Sequence, residues 1–317
     1  MKRLFIYLCL LVLCVGCVGE SKANEKPVVK IGYLPITHAT PLFLDHHQHG
    51  GNFGDYEVEL VRFSSWPDLM DALNAGRIEG ASVLIQLAMK AKEKGIDLKA
   101  VALGHQDGNV IISSKDINEA AELKGTTFAI PHTYSTHHLL LHELLEQEGM
   151  AYDDVEIVEM PPAEMPAALA EDRISGYVVA EPSGAFAVNL DVGKVLAFSE
   201  HVWPHSYCCV LVFRGDFLEE HPQVANEFME NYVTAGIEAD EKSLELYDAL
   251  QQFMNVNEET LDLSLDWISF KPLRIEKEEY EQVRERVIRL DLMEEPPKYD
   301  EFVNTSFIDR ANEKWSY

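Results

Sequence analysis

The fold of this chain is organised around one stretch, Ile130-Pro131-His132-Thr133-Tyr134-Ser135-Thr136-His137-His138-Leu139-Leu140-Leu141. It has the pattern of a buried strand that ends, a loop rich in hydroxyls and imidazoles, and the first turn of an apolar helix. A junction of this kind points backbone N–H groups and the positive end of the helix dipole into the space above the strand. It predicts a site for a small anion or a polar head group.

The chain carries a second copy of this stretch nearer its beginning. The copies align without a gap, so that Pro35 matches Pro131 and Thr40 matches Thr136. The matching segments are residues 34–44 with 130–140, 58–61 with 155–158, and 72–81 with 168–177. Each copy runs strand, loop, helix, strand, helix, strand, which is enough for a small α/β lobe. The sequence therefore predicts an α/β fold of two duplicated lobes.

Length and charge narrow the classes of partner. A chain of 317 residues, of which 47% are hydrophobic, buries a sizeable core and favours two domains. The net charge of -28 argues against nucleic acid and anionic membranes as partners, and it favours a solvated monomer. Because the global field repels anions, any anion site must be made by local groups.

Residues 1–17 resemble the signal peptide of a bacterial or archaeal lipoprotein. The start is basic, residues 4–15 are apolar but too few to span a bilayer, and a small residue precedes Cys17. We expect cleavage before Cys17, which would then carry a lipid and anchor the protein on the extracytoplasmic face of the cell membrane. Residues 18–27 would be a polar tether. Ordinary secretion with later cleavage is the alternative, because Cys14 stands where such signals prefer Leu.

The cysteines of the mature chain indicate packing rather than cross-linking. Only Cys17, Cys208 and Cys209 remain after cleavage, so no disulfide framework is expected. Neighbouring cysteines can bridge only with a strained peptide bond. We interpret Cys208 and Cys209 as two small strand residues that face opposite sides of a sheet.

Histidines crowd the end of the first predicted helix, at residues 46–49. Asp45 and His49 would share a helical face, which admits a zinc site. Histidines in a last turn before a glycine stop also suit the helix dipole and lie at the surface, and we prefer this second interpretation.

The predicted elements divide between two lobes. Residues 28–112 and 211–317 form lobe 1, and residues 113–210 form lobe 2. A polar loop at residues 104–108 is predicted as a hinge or ligand loop, and the strand at residues 207–214 as the crossing back to lobe 1. The acidic and mostly helical C-terminal part contains no motif that points to catalysis or ligand binding, and we expect it to pack on lobe 1.

Ligands of such folds sit outside the carboxyl ends of the strands, here in a cleft between the lobes. The cleft would offer hydroxyls, imidazoles and helix N-termini, which suit a small anion or zwitterion held by a hinge-closing protein. Trp66 is either a wall of this site or packed against its own helix. The predicted ligand residues are Thr37, His38, Thr40, Ser65, Trp66, His105, Gln106, Thr133, Ser135, Thr136, His137, Glu181 and His205.

Several segments resemble the substrate-binding proteins of ABC importers, in the group that binds nitrate, bicarbonate, alkanesulfonates and taurine. The resemblance runs from about residue 28 to about residue 233, and it rests on five short segments taken together rather than on one motif. The segments are Ile31-Gly32-Tyr33-Leu34-Pro35, Ser65-Trp66-Pro67, residues 72–81, Ser135-Thr136-His137-His138 and Glu181-Pro182. The resemblance implies a two-lobed periplasmic-binding-protein-like fold of type II. A protein of this fold closes on its solute and docks on a membrane permease.

The resemblance also assigns ligand residues. The group's loop histidine matches His137, its hydroxyls match residues 135–136, and its tryptophan matches Trp66. Nitrate binders use a lysine near the place where His205 stands, which disfavours nitrate. The run Tyr207-Cys208-Cys209 resembles related proteins that handle the pyrimidine precursor of thiamine, so an aromatic solute stays open.

Two other classes of function are open from the sequence. An enzyme would use Ser135 with His137 or His138, but the chain lacks a Gly-x-Ser-x-Gly elbow and an identified orienting carboxylate. We therefore expect no enzyme and no cofactor. A binding protein for a divalent metal would draw on histidines that show no tight ligand spacing. These histidines are His38, His105, His137, His138 and His205.

Overall fold

The computed structural model describes residues 26–315 of the chain. The predicted signal peptide, its lipidation site Cys17 and residues 18–25 of the predicted tether lie outside this range. Across residues 26–315, no helix combines the length and the apolar character that a bilayer crossing requires.

The strands form two five-stranded sheets and one short pair. In chain order they are β1 (Val28–Tyr33), β2 (Glu57–Arg62), β3 (Gly80–Leu84), β4 (Leu98–Leu103), β5 (Gln106–Asp107), β6 (Asn109–Ser113), β7 (Thr127–Ile130), β8 (Glu156–Glu159), β9 (Gly176–Ala180), β10 (Lys194–Phe198), β11 (Cys209–Arg214) and β12 (Ile268–Ser269).

Helices cover both sheets and make up most of the C-terminal part. They are α1 (Thr40–His49), α2 (Trp66–Asn74), α3 (Ile85–Glu93), α4 (Thr136–Gln147), α5 (Met165–Ala170), α6 (Ser183–Asn189), α7 (Ser199–Val202), α8 (Gly215–Glu220), α9 (Pro222–Ala239), α10 (Leu244–Phe253), α11 (Glu258–Asp266), α12 (Lys277–Arg289), α13 (Tyr299–Phe302) and α14 (Ser306–Glu313). Short 3₁₀ turns lie at Thr37–Ala39, Ala120–Leu123, Tyr152–Asp154 and Pro162–Glu164.

The two large sheets follow one plan. The first has the order β2-β1-β3-β11-β4 and the second has the order β10-β6-β9-β7-β8. Strands β1 to β3 run parallel, and so do β7 to β9, with the first strand of each unit in the middle. The pairing repeats as well, because Gly80 lies opposite Ile31 and Gly176 lies opposite Phe128. This confirms the duplicated α/β fold.

Each sheet receives one antiparallel strand that arrives from the other sheet. The chain leaves the first sheet after β4 and enters the second as β6, which runs antiparallel to β9. It returns after β10 and enters the first sheet as β11, which runs antiparallel to β3 and β4. We call residues 104–108 the first crossing and residues 199–208 the second crossing. They come together beside the first residue of β11, where the Gly104 N–H donates to the Cys209 carbonyl at 2.9 Å.

Serine caps start the helices that follow β2 and β7. Ser65 Oγ accepts the Asp68 N–H at 3.3 Å, and Ser135 Oγ accepts the His138 N–H at 3.1 Å. Each cap satisfies one of the N–H groups that have no partner inside the helix. The caps therefore fix where α2 and α4 begin.

The C-terminal helices contact both lobes. As predicted, they pack on the first lobe, with α9 against α1 and α14 against β4. Two further contacts reach the second lobe: Ser264 Oγ donates to Glu181 Oε2 at 2.8 Å, and Arg286 Nε donates to Glu143 Oε1 at 2.9 Å. The helices α11 and α12 therefore link the lobes, which the sequence did not predict.

Replacing Gly104 with alanine tests how closely the chain approaches itself at the crossings. A Cβ atom at Gly104 would lie 2.4 Å from the His38 carbonyl oxygen, which is backbone and can give way only by a shift of the chain. We expect Gly104→Ala to lower the free energy of unfolding by about 1–3 kcal/mol. Urea unfolding measures this, and Ser64→Ala at an exposed position should change stability by less than about 0.5 kcal/mol. An unchanged midpoint for Gly104→Ala would contradict the close approach.

Candidate functional site

Four side chains that can bind a metal meet where the two crossings come together. They are His38, His105, Cys208 and Cys209, all buried, and one ligand atom from each lies within 4.8 Å of the others. We call this group the His–Cys cluster. His38 lies in the 3₁₀ turn after β1, His105 lies in the first crossing, and the cysteines lie where the second crossing enters β11.

Backbone carbonyls fix the orientation of both imidazoles. His38 Nε2 lies 2.9 Å from the Gly108 carbonyl oxygen, and His105 Nδ1 lies 2.7 Å from the Asp107 carbonyl oxygen. A carbonyl can only accept, so each of these nitrogens carries a proton, and in the neutral imidazole the other ring nitrogen keeps its lone pair for a metal. His38 Nδ1 is buried and has no hydrogen-bond partner within residues 26–315. This is the arrangement of metal-binding histidines, whose second nitrogen donates to a carbonyl or carboxylate.

The two thiols differ in acidity. Burial, together with its neighbour Cys209, holds the pKa of the Cys208 thiol well above its usual range. Burial also works to raise the pKa of Cys209, but the Cys208 thiol and the His38 and His105 imidazoles outweigh it and hold that pKa well below its usual range. Cys209 is therefore the more acidic thiol of the pair, and the cluster offers soft sulfur and nitrogen donors.

His137 approaches the cluster from the second lobe. Its Nε2 lies 3.9 Å from Cys208 Sγ, and its ring is nearly parallel to that of His38, with ring centroids 6.5 Å apart. Burial, followed by the neighbouring His38, lowers the pKa of His137 to about 3. Burial and His38 likewise lower the pKa of His105 to about 4. Both imidazoles are therefore neutral near pH 7, where they bind metals but do not attract anions by charge.

The predicted hydroxyls hold the lobes together. The Thr37 N–H and Oγ1 both donate to the Glu181 carbonyl, at 2.9 and 3.1 Å. The Thr136 hydroxyl donates to the Tyr207 carbonyl and accepts from Gln86 Nε2 at 2.7 Å. These groups are thereby occupied by contacts between the lobes and the second crossing.

Two other predicted hydroxyls serve the local turns. Thr40 Oγ1 donates to the Thr37 carbonyl at 2.7 Å, and Ser135 Oγ caps α4 and donates to the His132 carbonyl at 2.5 Å. Both are buried beside the cleft. They stabilise the loops that carry His38 and His137.

Glu181 is a buried carboxyl at the edge of the cleft. Its Oε2 accepts from the Ala185 N–H at 3.0 Å and from Ser264 Oγ at 2.8 Å, while Oε1 has no hydrogen-bond partner among the described residues. Burial raises the pKa of this carboxyl to about 7, against the lowering effect of Ser264 and Ala185. Part of the population is therefore protonated at neutral pH.

The remaining predicted ligand residues are not members of the His–Cys cluster. Ser65 is occupied as a cap, and Trp66 is buried in the core of the first lobe, where its indole N–H has no partner within the described part of the chain. Gln106 donates to the Pro272 carbonyl at 2.8 Å, and the Thr133 N–H donates to Glu159 Oε1 at 2.6 Å. His205 is exposed, with a backbone φ of 57°.

Sequence reasoning missed the two cysteines as site residues. The prediction that Cys208 and Cys209 face opposite sides of a sheet is wrong, because Cys208 precedes β11 and the two sulfurs are 3.9 Å apart. It also missed Asn109, a buried amide beside Cys208 that works to lower the pKa of that thiol. The signal that could have found them is their position, since they stand where the predicted crossings meet the sheets.

Two other features, one predicted from the sequence and one seen in the structure, contribute no ligand residue to the His–Cys cluster. Asp45 and His49 do share a helical face, and Asp45 Oδ1 lies 3.1 Å from His49 Nδ1. They do not belong to the cluster of potential metal ligands found in residues 26–315. An apolar groove of about 250 Å³ opens between the lobes near Ile36, Pro182 and Phe186, and none of the cluster residues lines it.

Comparison with known proteins agrees with this architecture. The two-sheet fold is of the periplasmic-binding-protein type, as in a periplasmic nitrate-binding protein, NrtA, from Synechocystis. That structure is 18% identical, covers 92% of this chain and 89% of its own, and has a TM-score of 0.79. The chain belongs to the NMT1-like family, whose model matches residues 22–247.

A more similar structure comes from Staphylococcus aureus. It is described as the ligand-binding component of an ABC-type import system with zinc bound. It is 44% identical, covers 90% of this chain and 99% of that chain, and has a TM-score of 0.86.

Curated relatives share part of their length with this chain. The taurine-binding periplasmic protein of Escherichia coli is 32% identical over 184 residues, which is 56% of each chain. A bicarbonate transport ATP-binding protein of Synechocystis is 28% identical over 221 residues, and the match spans only 33% of that protein.

The pKa of Glu181 predicts a specific dependence of stability on pH. The folded pKa of about 7 lies above the ordinary value of 4.5, so between these values the native state binds more protons than the unfolded state. Its contribution is therefore most favourable below pH 4.5 and falls by about 3 kcal/mol as pH rises through 7. Glu181→Gln should remove this fall.

The measurement is the difference in unfolding free energy between wild type and Glu181→Gln from pH 4.5 to 8, with a chelator present. His105 and His137, whose lowered pKa values destabilise the fold in acid, are common to both proteins and cancel in the difference. A difference that does not change with pH would show that Glu181 is ionised throughout.

Proposed function

We propose that this chain is the solute-binding component of an ABC importer, a binding protein rather than an enzyme. Membership of the NMT1-like family, the two-lobed fold and the similarity to the Staphylococcus aureus import component support this proposal. Two lobes joined by two crossings suit hinge closure on a small solute. We further propose that a lipid on Cys17 anchors the protein outside the membrane and that the closed form docks on a permease.

The solute that we propose is a transition-metal ion with the preferences of zinc. One observation carries this proposal: the ligand atoms of the His–Cys cluster lie within 4.8 Å of one another. Two imidazole nitrogens and two sulfurs are the donor set of tetrahedral zinc sites, and the same donors suit Cu(I). Two thiolates and two neutral imidazoles would balance the charge of a divalent ion, which lowers the cost of burying it.

The character of the cleft disfavours an inorganic anion or a sulfonate. The buried polar side chains of residues 26–315 include no Lys or Arg. The imidazoles of His105 and His137 are neutral near pH 7, and the Glu181 carboxyl lies at the same cleft. An anion would therefore find no lysine or arginine among these buried side chains to offset the loss of its hydration. The zinc in the Staphylococcus aureus structure adds support for the metal, although it belongs to that protein.

Zinc binding should depend on the cluster and not on other histidines. At about a hundred times its dissociation constant, zinc should add about 2.7 kcal/mol to the unfolding free energy of the reduced protein. His38→Gln, His105→Gln and Cys209→Ser should each weaken zinc binding by more than about tenfold. His47→Gln is the matched control, because His47 lies outside the cluster and contacts Gln252. Competition with a chromophoric chelator measures the affinities, and thermal unfolding checks that each variant folds.

The same thermal assay separates the metal from the other solutes. Nitrate, bicarbonate, taurine, an alkanesulfonate and an aminopyrimidine should leave the melting temperature of the chelated protein unchanged. If one of them stabilises the protein and zinc does not, the metal proposal is wrong while the importer proposal stands.

A further inference from the structure

We infer that Cys208 and Cys209 form a reversible oxidation site, and that joining the two thiols as a disulfide releases the bound metal. The metal part of this inference rests on the proposed function. The oxidation itself does not, because it needs only the two sulfurs and an oxidant.

The two sulfurs are placed for this reaction. Both cysteines are free thiols, and their Sγ atoms are 3.9 Å apart. A disulfide requires about 2.05 Å, so the sulfurs need to approach by about 2 Å. Cys208 lies immediately before β11, and its side chain is therefore not held by the alternation of a strand.

The oxidant that the proposal requires is a low-molecular-weight disulfide, of the kind that persists outside the reducing cytosol. One cysteine, as its thiolate, attacks a sulfur of the reagent, which breaks the reagent's S–S bond and releases one thiolate. The neighbouring cysteine then attacks the mixed disulfide and releases the second thiolate. The protein loses two protons and two electrons, and the reagent gains them as two thiols.

Oxidation would disturb more than the two sulfurs. The Cys208 carbonyl accepts the Ile85 N–H at 2.8 Å, and the Cys209 N–H points at His105 Nε2 across 3.4 Å. A ring between adjacent cysteines strains the peptide that carries these two groups. Disulfide formation would therefore remove both sulfur ligands and shift the backbone that faces the third ligand, His105.

Metal binding should protect the pair. Both cysteines are 1% exposed in this closed arrangement. The S–S bond of the reagent must line up with the attacking sulfur, so the reagent needs access to the pair. The reactive form is therefore one in which the contacts of Thr37 with Glu181 and of Gln86 with Thr136 have opened. A metal that occupies both sulfurs and favours closure slows the reaction.

The experiment exposes the reduced, chelated protein to glutathione disulfide and follows the mass of the peptide that carries Cys208 and Cys209, together with the zinc affinity of the protein. We expect loss of two hydrogen atoms without a retained adduct, a fall in zinc affinity of more than about a hundredfold because two ligands are lost, and recovery of both with dithiothreitol. Wild type loaded with zinc should react more slowly. Cys208→Ser is the matched control, because it keeps one thiol of the pair, so that its peptide should retain one glutathionyl group instead of losing two hydrogens.

The outcomes separate this inference from the proposed function. Persistence of both free thiols of the pair, a stable glutathionyl adduct on Cys208 or Cys209 of wild type, or unchanged zinc affinity after the loss of two hydrogens would overturn the inference. A reduced protein that binds no zinc would refute the proposed solute and with it the metal release. The loss of two hydrogens would still decide whether the oxidation site exists.

Discussion

The hydrogen bond from the Gly104 N–H to the Cys209 carbonyl, 2.9 Å long, sets the geometry on which the site depends. His105 follows Gly104 and Cys208 precedes Cys209, so this one contact brings an imidazole and two sulfurs together. The His38 carbonyl packs against the same glycine, which leaves no room there for a Cβ atom. The second imidazole is thereby held at the same point, and the site is a product of how the backbone crosses rather than of one sequence motif.

The cleft gathers polar atoms that the fold buries without partners. Within residues 26–315 such atoms include His38 Nδ1, His137 Nδ1, Glu181 Oε1 and both polar atoms of the Asn109 amide. Each buried group left without a partner costs about 1–3 kcal/mol of stability. A metal bound through His38 Nδ1 would relieve this cost for one of these atoms, which belongs to the His–Cys cluster itself.

The sequence predicts the two-lobed fold well, but it predicts only some of the residues of the site. Duplicated strand–loop–helix units identify the two sheets, and loops at strand ends place His38, His105 and His137 at the cleft. The sequence pattern predicts that the strand begins at residue 207, whereas β11 begins at Cys209. The alternation of faces along a strand therefore does not apply to Cys208.

Other misplacements have physical reasons as well. Ser65 and Trp66 follow a strand end as expected, but the indole turns into the core of the first lobe, and apolar burial decides its direction. The contacts of α11 and α12 with the second lobe join residues far apart in the chain, which local patterns do not encode.

X-ray absorption at the zinc edge, on the reduced protein loaded with one equivalent of zinc, measures directly which atoms hold the metal. We predict that the zinc has a first shell of two sulfurs at about 2.3 Å and two nitrogens at about 2.0–2.1 Å. A shell of nitrogen and oxygen atoms alone would place the zinc on other histidines or carboxylates, and it would contradict the claim that the His–Cys cluster holds the solute.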